Sequence, residues 1–199
     1  MTQVFLGFAP VNTLATGWCV LRAGDNQEIS SLMSGVGTNL NKALAAVDER
    51  LSGTPDAVGI AAPLYWTIKD DREADRILRG MVLSTGGKSA SVPALSALPG
   101  AKITGGVILA AKVRQRWAAS RLTEAAPDAL LSVDSGAEDF IRSMSVNGEA
   151  EKPAALAAYT ALAHYQSRPG WYDLRQFDQD IFEPHTDIKA VFWAPVAVC

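Results

Sequence analysis

PDAVGIAAPLYWTIKDDREADRILR, residues 55–79, is the stretch of sequence that decides the predicted fold. Its apolar run at residues 57–60 has the length of a fully buried strand, and a polar, helix-forming segment begins soon after Pro63. Proteins of the α/β class place their chemistry at the carboxyl ends of such strands. Ala61, the residue at this strand end, has no reactive group. The stretch therefore predicts an α/β fold but no activity of its own.

Three strands are predicted ahead of this stretch, near residues 3–9, 16–22 and 27–33, with a hairpin turn at residues 23–26. A helix with Thr38 as its N-cap is predicted next, over residues 38–51. A helix between two strands favours a right-handed crossover, so the strand at residues 57–60 is expected to pair in parallel with the first strand. That pairing places Ala9 and Ala61 at neighbouring strand ends.

The remainder of the chain predicts helices with short strands between them, in a single domain over residues 1–199. Residues 86–99 are rich in glycine, serine, alanine and proline and are expected to form a mobile loop. The C-terminal residues 168–199 are expected to form an irregular aromatic tail that packs on the core. Helices are predicted near residues 70–81, 103–117, 128–131, 137–144 and 154–166, and strands near residues 122–125 and 190–195.

The composition is that of a globular protein. The net charge of −3 gives no overall attraction to nucleic acid, although a local basic groove would not change that sum much. No apolar run approaches the roughly 18 residues of a membrane span, and the N-terminus has no leader signature, so no membrane partner and a cytoplasmic location are expected. Cys19 and Cys199 have no metal-ligand spacing, and one of them is expected in the core.

Four segments together resemble a known family: LGFAP at residues 6–10, VGIAAPLYW at 58–66, LTEAAP at 122–127 and AALAAYTA at 154–161. The second segment, with the Arg72, Asp75 and Arg79 that follow it, is the most specific. Through these segments the chain resembles the domain-of-unknown-function family 429, predicted nucleases of the ribonuclease H-like superfamily. The resemblance implies a ribonuclease H-like core, in which a mixed five-stranded sheet with three antiparallel strands carries helices on both faces.

The chain departs from the family pattern at its acidic positions. Alanine replaces the expected aspartate at Ala9, Ala61 and Ala154, and alanine also stands at Ala126, where a histidine often precedes the proline. Glu124 is the acidic motif residue that remains. Nucleases of this superfamily hold two Mg²⁺ or Mn²⁺ ions about 3.5–4 Å apart between carboxylates. The resemblance therefore implies a site that binds no metal as written and that would need aspartate at the three alanine positions to bind one.

Basic side chains are the candidate ligands for phosphate. Arg72 and Arg79 share a predicted helix face. Lys112 and Arg116 belong to a basic run that, with the nearby Lys102, could line a strand-binding groove in which Trp117 stacks on bases. The alternative in each case is an exposed ion-pair face or an ordinary charged helix surface.

Other polar residues have simpler explanations. Glu151 could assist Glu124, but an acid at a helix start is also explained by the helix dipole. His164 and His185 have no ligand spacing and are expected to be structural.

Three functions remain open from the sequence. The first is a member of a metal-dependent nuclease family that is inactive as written, either by natural loss or by deliberate replacement of aspartate. The second is a non-catalytic scaffold that binds nucleic acid or a protein, and the third is a relative of nucleotide phosphotransferases. The same core supports all three, so the fold alone does not choose among them.

Overall fold

The computed structural model of the chain describes residues 2–12, 15–24, 28–69, 71–184 and 189–196. The strands in this part of the chain are β1 (Gln3–Asn12), β2 (Ala15–Ala23), β3 (Ile29–Gly37), β4 (Ala57–Ile60), β5 (Trp66–Thr67), β6 (Arg121–Glu124), β7 (Trp171–Asp173), β8 (Ile181–Phe182) and β9 (Val191–Pro195). The helices are α1 (Leu40–Asp48), α2 (Glu73–Ser84), α3 (Gly100–Arg116), α4 (Pro127–Val133), α5 (Ser135–Ser143) and α6 (Glu151–Tyr165).

A mixed sheet with helices on both faces organises the fold, as the sequence predicts. Its strand order is β3-β2-β1-β4-β6-β9-β7, and β5 and β8 form a separate two-stranded ribbon. Side chains of β1 alternate between the faces, so that Phe5 belongs to an apolar cluster with residues of α5 and α6 on one side and Leu6 to a cluster with residues of α1 and α3 on the other. The helices therefore enclose the central strands from both sides.

The predicted parallel pairing of the first and fourth strands is confirmed. The register runs from Phe5 opposite Ala57 to Phe8 opposite Ile60. Asp56 helps to set it, because the Val4 amide donates a 2.8 Å hydrogen bond to the Asp56 carboxylate. The predicted N-cap of α1 is wrong by one residue: the Asn39 side chain, not Thr38, accepts the capping hydrogen bond from Lys42 N, and the helix ends at Asp48.

The sheet has seven strands rather than the predicted five, because the C-terminal segment is not irregular. β9 pairs in parallel with β6 through Thr123 opposite Val191, and β7 pairs antiparallel with β9 through Trp171 opposite Pro195. Strands β7 and β8 of this tail have three and two residues, and their partner strands are distant in sequence, so no local pattern indicates β7. The predicted turn at residues 23–26 lies partly outside the described residues. Residues 86–99 contain two short 3₁₀ turns, Ser89–Ser91 and Leu95–Ala97.

Helix α6 lies directly against the backbone of the sheet. All of its residues from Ala154 to Ala163 are buried, so the helix packs on every side and not only on the predicted leucine and tyrosine face. Glycine makes this approach possible: a Cβ built on Gly7 would lie 1.9 Å from the Ala154 carbonyl oxygen, and one on Gly59 would lie 2.0 Å from that of Ala157. The approach places α6 beside the carboxyl ends of the central strands.

Candidate functional site

The carboxyl ends of β1, β4 and β6 meet at one edge of the sheet. The Ala61 amide donates a 2.8 Å hydrogen bond to Phe8 O, and the Ala125 amide donates a 2.9 Å hydrogen bond to Ile60 O, so the ladder continues one residue past the paired strands. Ala9 and Ala61 are therefore neighbours at this edge. Ala154 lies in the first turns of α6 and shares one buried apolar cluster with them. The structure thus places Ala9 and Ala61 side by side at this edge and Ala154 in the same apolar cluster.

Two adjoining chambers open at this edge. The first has a volume of about 340 Å³ and the second about 450 Å³, and both are lined by Ala61, Lys102, Pro127 and Asp128. Ala9 lines the second chamber, where Lys152 and Glu149 add charged groups. The first chamber lies over Glu124 and is walled mainly by apolar residues of the segment that precedes α3. The cleft therefore has one mixed polar chamber and one mostly apolar chamber.

Glu124, the remaining acidic motif residue, is buried in an ion-pair network. It is the last residue of β6, and only 3% of its surface is exposed. Its carboxylate accepts hydrogen bonds of 2.9 and 2.6 Å from Nη1 and Nη2 of Arg72 and one of 2.9 Å from the Leu64 amide. Arg72 in turn donates from Nε and Nη2 to the two oxygens of Asp75, at 2.7 and 2.8 Å. We refer to Arg72, Asp75 and Glu124 as the buried triad.

Burial and the presence of one cation between two acids determine the pKa values in the buried triad. Burial raises the pKa of Glu124 above its ordinary value, while Arg72 and the Leu64 amide act in the opposite direction. Burial alone would lower the pKa of Arg72, but Glu124 and Asp75 together raise it well above its ordinary value. Arg72 is therefore a permanent cation between two acids.

Aromatic rings cover the Arg72 guanidinium on two sides. Its central carbon lies 4.4 Å from the centre of the Tyr65 ring and 5.2 Å from that of Phe192. The Tyr65 hydroxyl donates to Asp178 at 2.8 Å, and burial raises the pKa of this phenol. Asp178 also accepts a 2.7 Å hydrogen bond from the Glu73 amide at the start of α2. Sequence reasoning missed Tyr65, Asp178 and Phe192 because nothing in their local patterns indicates these distant contacts.

Arg72 and Arg79, two of the candidate phosphate ligands, are engaged in ion pairs. Every N–H group of the Arg72 guanidinium already has an acceptor, the fifth being the Tyr65 carbonyl oxygen at 3.2 Å. Arg79 does not pair with Asp75. It forms a bidentate ion pair with Asp71, with N···O distances of 2.9 and 2.8 Å, and donates from Nε to the Val92 carbonyl oxygen. Both arginines therefore hold the fold around the first chamber.

Lys112 and Arg116, the other two candidate phosphate ligands, lie far along α3 from the cleft. Lys102, in the first turn of this helix, lines both chambers. Lys112 and Arg116 follow it by ten and fourteen residues, or about 15 and 21 Å along a helix. Arg116 lies near Asp48 of α1, with 3.5 Å between Nη1 and Oδ2. The structure therefore brings Lys102, but not Lys112 or Arg116, to the candidate site.

Glu151 and His164 also lie apart from the buried triad. The Glu151 carboxylate accepts a 3.1 Å hydrogen bond from the Ser34 hydroxyl on β3. The His164 ring packs on Trp193 with 5.3 Å between ring centres, and burial lowers its pKa to about 4. His185 and Cys199 lie outside the described residues, while Cys19 is buried and free, as expected for a core cysteine.

The residues at this edge do not fit a divalent metal centre. Within the described ranges, no three histidine, cysteine, aspartate or glutamate side chains are grouped to hold a metal ion. Alanine methyl groups occupy the strand ends, and the Glu124 carboxylate is already paired with a cation. Hard cations such as Mg²⁺ require several oxygen ligands, which the alanines cannot supply.

Comparison with known proteins gives no relative: no family model, curated protein or solved structure matches the chain. None of the helices in the described part of the chain is long and apolar enough to cross a membrane.

Proposed function

We propose that this chain is a catalytically inactive member of the ribonuclease H-like class of metal-dependent nucleases, and that it binds nucleic acid at the two-chamber cleft without cleaving it. The observation that carries the proposal is the position of Ala9, Ala61 and Ala154. Ala9 and Ala61 are neighbours at the carboxyl edge of the central strands, where the class places its metal-binding carboxylates, and Ala154 packs in the same apolar cluster. A cleft remains at that edge, and methyl groups stand at Ala9 and Ala61, where the class has carboxylates that activate water through bound metal ions.

The sheet supports the choice of class. Strands β3, β2 and β1 form an antiparallel unit, and β4 and β6 then extend the sheet in parallel from β1. This is the order expected for a ribonuclease H-like core, with β9 and β7 added at the far side. The fold gives a scaffold and not an activity, so the functional argument depends on the site.

The chemistry of the site supports inactivity. Two-metal nucleases use paired cations to generate the attacking hydroxide and to stabilise the leaving oxygen. Methyl groups cannot ligate these cations, and Glu124 contributes a carboxylate that Arg72 already neutralises at 2.6 Å. With one engaged acid in place of an open cluster, the cleft retains a surface for a ligand and loses the means to hydrolyse it.

The decisive experiment restores the acids. We expect the triple variant Ala9→Asp/Ala61→Asp/Ala154→Asp to melt at a lower temperature than the native chain in EDTA, because three packed carboxylates repel each other. Adding Mn²⁺ should recover several degrees of the loss, since a metal that binds only the folded state stabilises it. The double variant Ala9→Asp/Ala61→Asp is the milder alternative, because both positions line the second chamber and Ala154 is fully buried.

The matched control carries asparagine at the same three positions, which adds similar volume without negative charge. Its melting temperature should not respond to Mn²⁺. Cleavage of labelled single-stranded DNA and RNA with Mn²⁺ is measured in parallel, and it should be absent in the native chain. Cleavage by the native chain would contradict the proposed inactivity. Aspartate variants that fold but respond to Mn²⁺ no more than the asparagine control would overturn the proposed nuclease ancestry.

A further inference from the structure

The first chamber has the size and walls of a small-ligand site. Its volume of about 340 Å³ lies within the range of ligand pockets, about 300–1,000 Å³, and suits one nucleotide but not a duplex. Its walls are mostly apolar, from the segment before α3 on one side and from the loop after β6 and the strand β9 on the other. Apolar wall residues are Pro63, Val92, Pro93, Leu95, Leu98 and Phe192.

The floor of this chamber offers hydrogen-bond acceptors. Asp75 and Glu124 both line the chamber, and together they take four of the five N–H groups of Arg72. Each carboxylate oxygen has two lone pairs. Both oxygens of Asp75 and Oε1 of Glu124 accept one hydrogen bond each within the described residues, whereas Oε2 of Glu124 accepts two. Acceptor positions therefore remain while Arg72 has no N–H left to fill them.

The net charge of the chamber floor also favours a ligand that donates hydrogen bonds. One arginine between two carboxylates leaves an excess negative charge beneath an apolar chamber whenever both acids are ionised. Buried charge without full compensation is unfavourable, so a ligand that brings a donor to these oxygens gains more than the same donor would gain in water. The chamber is thus built for a ligand with an apolar body and a hydrogen-bond donor at its inner end.

Lys102 supplies a positive group at the boundary between the chambers. In the described part of the chain its ammonium group has no ion-pair partner, and it lines both chambers. Asp128 shares this boundary but is an exposed residue, where solvent screens its charge. An anionic group on the ligand, placed where the ligand extends out of the apolar chamber, would lie beside Lys102.

We propose that the first chamber binds a nucleobase with an exocyclic amino group, namely adenine, cytosine or guanine, whose amino group donates to Asp75 and Glu124 while the attached phosphate lies beside Lys102. The choice of a nucleotide rests on the proposed function, whereas the requirement for a donor and an anion rests on the chamber itself. The adjoining second chamber leads past Ala9 and Ala61, so a single strand can continue from the bound nucleotide along the edge where the class holds its metals.

The test compares ligands that differ in the amino group alone. Adenosine 5′-monophosphate and purine riboside 5′-monophosphate have the same ring, sugar and phosphate, and the second lacks the amino group. Calorimetric titration of the native chain should show at least about tenfold weaker binding of the second, because the site's buried acceptors then lack their donor. Oligonucleotides of deoxyadenosine and of thymidine form a second pair of ligands with and without the amino group. Comparing the oligodeoxyadenosine with the free nucleotide shows whether the bound base belongs to a nucleic-acid strand or to a free nucleotide.

Two lysines of α3, one at the chamber and one away from it, are replaced to test the phosphate contact. Lys102→Gln should weaken binding of adenosine 5′-monophosphate about fivefold and reduce its dependence on salt, since a charge contact to phosphate is lost. Lys112→Gln removes the same charge from the same helix, away from the chamber, and should leave binding unchanged.

Three results would overturn the inference: equal binding of the two nucleotides, no saturation by either the nucleotide or the oligodeoxyadenosine, or equal effects of the two lysine variants. Failure of this kind is distinguishable from failure of the proposed function. Recovery of the aspartate variants by Mn²⁺ tests the nuclease ancestry without any nucleotide, so it can succeed when the base pocket fails.

Discussion

Arg72 shows how one residue couples the stability of the fold to the candidate site. It is 2% exposed and joins α2 to β6 through Asp75 and Glu124. Replacing a buried ion pair by apolar groups can be neutral, but removing one partner leaves the others uncompensated. We expect Arg72→Met to lower the free energy of unfolding by about 3–5 kcal/mol, measured by urea denaturation.

The control for this variant lies on the same helix. Arg76 pairs with Glu73 at 3.0 Å; the Arg76 side chain is largely exposed and that of Glu73 is partly exposed. Arg76→Met should lower the free energy of unfolding by less than about 1 kcal/mol, because solvent screens a surface ion pair. A similarly small loss for Arg72→Met would show that the two acids of the buried triad tolerate the absence of their cation.

His164 gives a second prediction at the scale of one residue. Burial lowers its pKa to about 4, with a smaller contribution from Arg121, whereas the pKa of an exposed histidine is about 6.5. The folded state therefore binds its proton less readily than the unfolded state. The stability that depends on neutral His164 is present above pH 6.5 and is lost as the pH falls from about 6.5 towards 4.

The measurement compares the native chain with His164→Gln by urea denaturation between pH 7 and pH 4.5. Below pH 6.5 the native chain should lose up to about 1.4 kcal/mol per pH unit more than the variant. All other titratable groups are the same in the two proteins, so the difference isolates His164. Parallel pH profiles of the two proteins would show that His164 has an ordinary pKa.

At the scale of an element, the contact of α6 with the sheet depends on glycine. A Cβ on Gly59 would lie 2.0 Å from the Ala157 carbonyl oxygen, and the backbone on both sides is fixed by secondary structure. We expect Gly59→Ala to lower the free energy of unfolding by about 3 kcal/mol or more, the upper end of overpacking penalties. Urea denaturation with near-ultraviolet circular dichroism measures the loss and the state of the core.

Gly80 in α2 is the matched control, since a Cβ there would have no atom within 4 Å. Gly80→Ala should raise the free energy of unfolding by about 0.5–1 kcal/mol, because alanine favours the helix. A Gly59→Ala variant as stable as the native chain would mean that α6 can move away from the sheet at little cost.

The elements that the sequence predicts well are those with a local signal. Strand β4 is a short apolar run that ends before Pro63, and its parallel pairing follows from one helix between two strands. The position of Glu124 at a strand end was predictable for the same reason. Its partner was not: Arg72 and Asp75 are correctly spaced for a surface pair, and only the tertiary structure buries both and places the Arg72 guanidinium over the Tyr65 ring.

At the scale of the whole molecule, the C-terminal segment completes both the sheet and the site. β9 covers the edge of β6, and Phe192 packs on the Arg72 guanidinium and lines the first chamber. We expect a chain that ends at Ser167 to lose cooperative unfolding and its near-ultraviolet circular dichroism, because it exposes the edge of β6 and the buried triad.

The control for this truncation is Phe192→Leu, which keeps β7 and β9 and changes one buried ring. It should unfold cooperatively with a free energy of unfolding lowered by about 1–3 kcal/mol, since the cavity left by the ring is partly filled. Cooperative unfolding of the shortened chain would instead make residues 168–199 an accessory layer on a five-stranded core. Loss of cooperativity in the shortened chain alone would make the tail part of the folding unit, so that Arg72 and Glu124 could not be held in place without it.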